Sequence, residues 1–221
     1  MKPWTTLATA PAPDGHALIL QQRDDEFVIR VAGQVLMSSR MHGSERAMAQ
    51  LALDPAHPKP QPRVLLGGLG LGHTLRALLD ALPPRAIVDL AELIPAVIEW
   101  NRGPLAHLAR APLSDPRVKV HAADVRKLLA PRAFDAILLD VDNGPTALTS
   151  AKNGALYSEA GVHALHEALT ARGRLVVWSA GPDERFLKRL TQAGFRAEAK
   201  EVPALASGKG SRHVLFLGVR S

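Results

Sequence analysis

The sequence contains no cysteine among its 221 residues. This absence excludes disulfide bonds and thiolate zinc sites, and it fits a cytoplasmic protein, which is the location we predict. No apolar run approaches the roughly 18 residues that a membrane-spanning helix needs, so no membrane association is predicted. The H-E-x-x-H spacing of helical zinc sites is also missing, and we predict no metal.

Aromatic residues are few, at 4% of the chain, although the net charge is +6. Much of the positive charge lies in residues 152–221, which hold eleven basic and six acidic side chains. Such an excess can attract an anionic partner. However, no basic run is interleaved with aromatic residues, as is typical of nucleic-acid-binding surfaces. A nucleic-acid partner is therefore not predicted.

A proline-rich segment divides the chain into two parts. Residues 16–22, 26–31 and 34–37 predict three short antiparallel strands, and a helix capped by Ser44 is predicted to follow. Residues 1–53 would thus form a small N-terminal β-meander with one helix. Residues 54–62 carry four prolines, which neither continue a helix nor fit a central strand, so this segment is the predicted joint.

Strands and helices alternate from residue 63 to the C-terminus. Strands are predicted at 64–66, 86–90, 118–121, 134–139 and 175–178, with helices at 74–82, 95–111, 125–129 and 159–170. Two further strands, 195–202 and 213–219, are predicted to pair as an antiparallel hairpin. The strands are apolar on both faces, which is typical of a parallel sheet covered by helices. Residues 63–221 therefore predict an α/β, Rossmann-like, seven-stranded sheet of the class I methyltransferase type.

A glycine-rich turn follows the first strand of this second part, with glycines at 67, 68, 70 and 72 (Gly67, Gly68, Gly70 and Gly72). Glycines let a ligand approach the backbone, and the helix that follows directs its N–H groups to the same place. The dinucleotide fingerprint would need a glycine where His73 stands. The spacing favours a nucleoside ligand, and a purely structural turn is the alternative.

Acidic residues follow the next two strands. Glu92 lies 20 residues beyond Gly72, where a carboxylate binds the two hydroxyls of a ribose, whereas Asp89 falls inside its strand. Asp124 precedes a predicted helix and could cap it. It could also accept a hydrogen bond from an adenine amino group, while the N–H group of Val125 meets the ring. Surface acids are the alternative for both carboxylates.

The fourth strand delivers Asp140 to the same edge of the predicted sheet. A carboxylate there can hold a cation or act as a base toward a protonated amine. Asp142 and Asn143 follow within a sequence that is also ordinary turn chemistry.

Other polar and aromatic residues are weaker candidates. Glu45, with Arg40 and His42, is predicted to cover the site. Trp178 is interpreted as a core residue and His213 as part of a solvated turn.

Four segments together resemble the spermidine/spermine synthase family: residues 64–68, 91–99, 121–124 and 134–140. The similarity extends over residues 34–180. It implies a homodimer whose Rossmann-like domain binds S-adenosylmethionine or its decarboxylated form. The glycine turn, Glu92 with Leu93, and Asp124 with Val125 would bind this donor. Asp140 would be the catalytic acid–base residue, and the side chains facing the acceptor would be Glu45, Asp142 and Asn143.

The chain departs from the family at two acidic positions. Gly70 stands where the family has an aspartate that binds the amine of the decarboxylated donor, and Asn143 replaces a second aspartate. Losing two carboxylates disfavours polycationic substrates, so S-adenosylmethionine would suit the site better. Against this, Leu66 stands where many methyltransferases have an acid.

We therefore predict a transferase that moves an aminopropyl or a methyl group to a small acceptor, polyamines included. The alternatives are a methyltransferase of another substrate and a nucleoside-binding module without turnover.

Overall fold

The computed structural model describes residues 2–12, 15–141, 153–205 and 210–221, and these form two sheets. The smaller sheet is antiparallel with its strands in chain order: β1 (Thr5–Pro11), β2 (Ala17–Arg23), β3 (Glu26–Val31) and β4 (Gln34–Ser38). The three predicted strands are present. The prediction missed β1, an edge strand whose mostly exposed side chains give no apolar alternation.

Helix α1 (Gly43–Ala52) connects the two sheets. The prediction that Ser44 caps this helix is wrong: His42 is the N-cap residue and makes no side-chain capping bond, while Ser44 is buried inside the first turn. The apolar face of α1, with Met48 and Ala52, packs in a core shared with the larger sheet. The domain boundary at residue 53 remains a prediction.

The larger sheet has seven strands in the order β10-β11-β9-β8-β5-β6-β7. Strands β5 to β9 are parallel, and β11 runs antiparallel to both β9 and β10. This is the predicted α/β sheet with its closing hairpin. Its strands are β5 (Arg63–Gly67), β6 (Ile87–Glu92), β7 (Val118–Ala122), β8 (Phe134–Leu139), β9 (Leu169–Ser179), β10 (Phe195–Pro203) and β11 (Arg212–Arg220).

In the described ranges, four helices flank this sheet: α2 (His73–Ala81), α3 (Pro95–Arg102), α4 (Glu159–Ala168) and α5 (Glu184–Gln192). The predicted helix 95–111 ends early and continues as two 3-10 turns, and residues 125–128 are also a 3-10 turn. The predicted helix 159–170 stops at Ala168 because β9 begins at the next residue. Helix α5 was not predicted.

Alternate residues of the central strands enter two separate cores. Leu66 and Leu138 face α1, α2 and the small sheet, whereas Leu65 and Leu139 face α4 and α5. The prediction that both faces of this sheet are buried is therefore confirmed. Across the part of the chain that the structure describes, no helix has the length and apolar character needed to span a bilayer.

Candidate functional site

The carboxyl ends of the parallel strands bring the predicted site residues to one edge of the large sheet. Gly67 pairs with Ala91 on one side and with Leu139 on the other, and Glu92 pairs with Ala122. The residues that follow these strands therefore lie side by side. This edge is where open α/β sheets bind their ligands.

The glycine turn is held tightly against the end of β8. Gly68 has a φ of +90°, which strains any other residue, and a Cβ atom there would collide with the carbonyl oxygen of Asp140. Gly70 also has a positive φ, of +52°, and a Cβ atom there would lie 3.2 Å from Sδ of Met37. Both glycines therefore have a structural reason to lack a side chain.

Glu92, at the end of the neighbouring strand β6, stabilises this turn through hydrogen bonds. Its Oε2 accepts a hydrogen bond from the Leu69 N–H group at 2.9 Å, and its Oε1 accepts one from the Ile94 N–H group at 2.8 Å. The side chain is only 7% exposed. A charged acceptor buried against two backbone donors fixes the position of the turn.

Asp124 lies two residues beyond the end of β7, the strand that pairs with the strand of Glu92, and the preceding Ala123 N–H group donates to the Glu92 carbonyl at 3.0 Å. The predicted capping role is found, since the carboxylate accepts from the Arg126 N–H group at 2.9 Å. The same carboxylate pairs with the Arg126 guanidinium, which holds the pKa of Asp124 below its usual value. An adenine amino group would have to share it with Arg126.

The other residues considered in the sequence analysis for binding the nucleoside differ in their exposure to solvent. Val125 is buried, and its Cγ2 would lie 3.0 Å from a Cβ atom at Gly67, so its side chain packs beneath the turn. Leu93 is 45% exposed. Asp89 is buried within β6 and binds Arg63 and His121, at 2.8 and 2.9 Å. These contacts remove Asp89 as a competitor for the ribose.

A cavity of about 300 Å³ lies on the other side of the glycine turn, between the two sheets. Its wall is formed by β4, the start of α1, the glycine turn, the start of α2, and the ends of β8, β9 and β11. Leu69 belongs to this wall, while its N–H group binds Glu92. The turn therefore separates the Glu92 side of the site from the cavity.

Two carboxyl groups, those of Glu45 and Asp140, border the cavity. Burial and the negative charge of Asp140 raise the pKa of Glu45 from 4.5 to about 8. Burial also raises the pKa of Asp140, against the opposing effect of the Thr74 hydroxyl, which donates to its Oδ2 at 2.7 Å. At neutral pH Glu45 is thus mostly protonated.

A hydrogen-bond network extends from Glu45 to the start of β11. The Ser44 hydroxyl lies 2.9 Å from Oε2 of Glu45 and 3.0 Å from Nδ1 of His213, and it accepts from the Trp178 indole N–H group at 3.2 Å. Because a hydroxyl carries one proton, it can donate to Glu45 or to His213 but not to both. A protonated Glu45 can instead donate to Ser44, which leaves the Ser44 proton available for Nδ1 of His213.

His73 lines the cavity at the beginning of α2 and packs against His42, with ring centroids 4.8 Å apart and the ring planes tilted by 56°. Burial and the neighbouring His42 lower the pKa of His73 to about 4, so this ring is neutral at pH 7. Within the described ranges, no group of three or more His, Cys, Asp or Glu side chains is arranged to hold a metal ion.

Three solved structures share this architecture. A spermidine synthase in complex with the transition-state analogue AdoDATO superposes with a TM-score of 0.74, 18% identity and coverage of 98% of this chain and 72% of that one. The spermidine synthase of Thermotoga maritima has a TM-score of 0.75 and 18% identity, and the match covers 98% of this chain and 73% of that one. A probable spermidine synthase of Corynebacterium glutamicum has a TM-score of 0.66 and 18% identity, with coverage of 99% of this chain and 81% of that one. The chain has the spermidine synthase fold. No protein-family model and no curated protein matches it.

The predicted resemblance is thus confirmed at the level of the fold. Glu45 borders the cavity, whereas Arg40 is mostly exposed and pairs with Asp25 and Glu26. The predicted acceptor-facing residues Asp142 and Asn143 lie outside the described residues.

Among the cavity-wall residues that sequence reasoning did not assign to the site are Ser44, Thr74, Trp178 and His213. The interpretation of His213 as part of a solvated turn is wrong, because its ring lies in β11 and contacts Ser44 and Trp178. Its approach to Ser44 spans 169 positions in the chain, and no local pattern carries that information. For Thr74 the sequence held a signal, because this residue lies two positions after Gly72, in the first turn of the helix that follows the glycine turn.

The raised pKa of Glu45 leads to a prediction for the ligand-free protein. Between pH 4.5 and about 8 the unfolded chain ionises this group while the folded protein keeps it protonated, so its contribution to stability is lost as the pH rises. Because one pKa unit is worth about 1.4 kcal/mol, the unfolding free energy of Glu45→Gln relative to the natural chain should rise by roughly 3–4 kcal/mol from pH 5 to pH 8. Urea denaturation of both proteins at pH 5 and at pH 8 measures the difference in unfolding free energy.

The control is Glu99→Gln, whose side chain is 66% exposed in α3. Its effect on the unfolding free energy should be the same at both pH values. An effect of Glu45→Gln that does not change with pH would contradict the assignment of a buried, protonated Glu45.

Proposed function

We propose that this protein is a transferase that moves an alkyl group from an S-adenosyl donor to an amine bound in the cavity. The observation that carries this proposal is the pair Glu45 and Asp140 in a cavity that touches the glycine turn at the carboxyl edge of the sheet. A buried carboxyl pair is suited to receive a cation and then to take up its proton.

The donor would lie across the glycine turn, with its nucleoside on the Glu92 side and its sulfonium over the cavity. The ribose hydroxyls would join the two backbone N–H groups that Glu92 already binds. Asp124 would approach the adenine. Support comes from the fold, which this chain shares with a spermidine synthase that binds the transition-state analogue AdoDATO. The donor is S-adenosylmethionine or its decarboxylated form.

The reaction would be a direct displacement at a carbon attached to the sulfonium. The amine nitrogen forms the new carbon–nitrogen bond, the carbon–sulfur bond breaks, and its electron pair stays on sulfur. The amine must shed its proton to react, and Asp140 would accept it because burial raises its pKa above that of an ordinary aspartate. Glu45, Ser44 and His213 would offer the proton a route toward the rim.

Three further parts of the prediction remain proposals. A polyamine acceptor is suggested by the similar structures, which are spermidine synthases. A homodimer is implied by the family resemblance. The cytoplasmic location is inferred from the composition, which lacks cysteine. The alternative of a nucleoside-binding module without turnover rests on Gly70 and Asn143, which stand where the resemblance implies acidic residues.

The test is to incubate the protein with each donor and a set of amines and to identify the products by mass spectrometry. Methylthioadenosine would establish aminopropyl transfer, and S-adenosylhomocysteine would establish methyl transfer. Neither product, with donor binding retained in calorimetry, would refute the transferase and leave the binding module. Absence of donor binding would refute both.

A further inference from the structure

Asn101, in the last turn of α3, binds the glycine turn through its side-chain amide. The residue is only 1% exposed, and its Nδ2 atom donates to the carbonyl oxygens of Gly70 and of Val97, both at 2.9 Å. This orientation of the amide is fixed, because a flipped amide would place its own oxygen against two carbonyl oxygens. Asn101 does not line the cavity, whereas Gly70 does. The amide therefore joins α3 to a backbone position that a ligand in the cavity would meet.

The oxygen of the same amide shows why the two N–H donors matter at this position. Oδ1 of Asn101 is buried and has no hydrogen-bond partner within the described residues. It lies where a Cβ atom at Gly72 would be 3.0 Å away, so it packs against the glycine turn without bonding to it. An apolar side chain of the same shape would fill this space without the free-energy cost of burying an unpaired oxygen. What the amide adds is therefore its donors.

Glu92 and Asn101 hold consecutive residues of the turn from one continuous unit, β6 followed by α3. Glu92 accepts from the Leu69 N–H group, and it also accepts from the Ile94 N–H group directly before α3 begins. Asn101, near the other end of α3, holds Gly70. In the proposed complex Glu92 shares its oxygens with the ribose, whereas Asn101 keeps both of its bonds. The bond from Asn101 is thus a hold on the turn that donor binding leaves unchanged.

The position of the turn matters because the turn borders both reaction partners of the proposed transfer. Leu69, Gly70 and Leu71 belong to the cavity wall, and Gly68 lies against the carbonyl oxygen of Asp140. A displacement of Gly70 would change the distance between a sulfonium over the turn and an amine in the cavity. A misplacement of about 1 Å, even when it comes from a remote substitution, can reduce a rate by about 100-fold.

We propose that Asn101 is a positioning residue, whose hydrogen bond to the Gly70 carbonyl sets the distance between the donor on the glycine turn and the amine in the cavity. The alignment of donor and amine rests on the proposed function. The effect of the bond on the turn itself does not depend on that function, so the two parts are tested separately.

Two variants lose the bond to Gly70 in different ways. Asn101→Leu keeps the shape of the side chain but has no donor. Asn101→Ser is one atom shorter, and its hydroxyl can donate to the Val97 carbonyl four residues earlier, as serines in helices do, but not to Gly70. Because the missing Gly70 bond is what the two variants share, a common effect is assigned to that bond. The matched control is Arg102→Gln, since the neighbouring Arg102 side chain is 55% exposed and pairs with Glu99.

Hydrogen exchange of the amide groups in residues 67–72, measured by mass spectrometry on the full chain, tests the bond without requiring turnover. In both variants these amides should exchange at least about tenfold faster than in the natural chain, because the turn opens more often. Exchange in β9 should stay unchanged, which shows that the variants are folded. Arg102→Gln should match the natural chain throughout. If Asn101→Leu unfolds, Asn101→Ser decides alone, and unchanged exchange of the turn would overturn the inference.

Steady-state kinetics and calorimetry test the alignment. In both variants kcat for group transfer should fall by about 10- to 100-fold, since the reacting atoms are misplaced. The affinity for methylthioadenosine should change by less than about threefold, because Glu92 and Asp124 are intact. An unchanged kcat, or a loss of nucleoside affinity as large as the loss of kcat, would overturn the alignment. If the natural chain itself transfers no group, the proposed function fails, and the exchange experiment still decides whether Asn101 holds the turn.

Discussion

Asp140→Asn is expected to lower kcat for group transfer by about 10²–10⁴-fold, the usual range for removing a general base. The asparagine keeps a carbonyl oxygen for the Thr74 hydroxyl, which donates at 2.7 Å, so the end of β8 should hold its position. What is lost is the group that takes the proton of the amine. Initial rates at saturating donor and amine measure the effect.

Asp25→Asn is the control for this experiment, because the Asp25 side chain is 89% exposed and does not line the cavity. Its kcat should match that of the natural chain. Thermal unfolding should show that both variants are folded. If Asp140→Asn keeps a kcat within about tenfold of the natural chain, proton transfer to Asp140 is not part of the rate-limiting chemistry.

Glu92→Gln is expected to weaken nucleoside binding by about 100-fold. A hydrogen bond to a charged group contributes roughly 1.5–3 kcal/mol, and the glutamine offers one acceptor oxygen where the carboxylate offers two. Its amide nitrogen would also face either the Leu69 or the Ile94 N–H group, so the glycine turn would lose one of its two anchors. Calorimetric titration with methylthioadenosine measures the loss.

The same change at Glu99 is again the appropriate comparison, because it removes a carboxylate from the exposed side of the helix that follows Glu92. Glu99→Gln should bind methylthioadenosine as the natural chain does. A Glu92→Gln variant with unchanged affinity would show that the nucleoside does not use this carboxylate.

The strands of the large sheet could be predicted because a strand that is buried on both faces appears in the sequence as a continuous run of apolar residues. In β8, Ala136, Ile137, Leu138 and Leu139 are all buried, and the uninterrupted apolar run shows it. Helix α5 carried a comparable signal that was not used: Asp183 accepts from the Phe186 N–H group as a cap, and Phe186 and Leu190 share the buried face. Strand β1 carried none, because most of its side chains face water.

The donor side of the site was predictable for a related reason. In a parallel sheet the residue after each strand arrives at the same edge, so Glu92, Asp124 and Asp140 can be placed from strand boundaries alone. The cavity could not be placed in this way. Trp178 and His213 become neighbours through the antiparallel pairing of β9 with β11, and Met37 reaches Gly70 only because the two sheets pack together.

The close approach of Met37 to Gly70 ties two distant positions to each other. Gly70 occupies the place where spermidine synthases are expected to carry an acidic side chain, and the thioether of Met37 already fills the space that such a side chain would enter. An acid introduced at position 70 would strain the backbone, whose φ is +52°, and would require the Met37 side chain to move aside. The residue at position 37 therefore affects which side chains position 70 can hold.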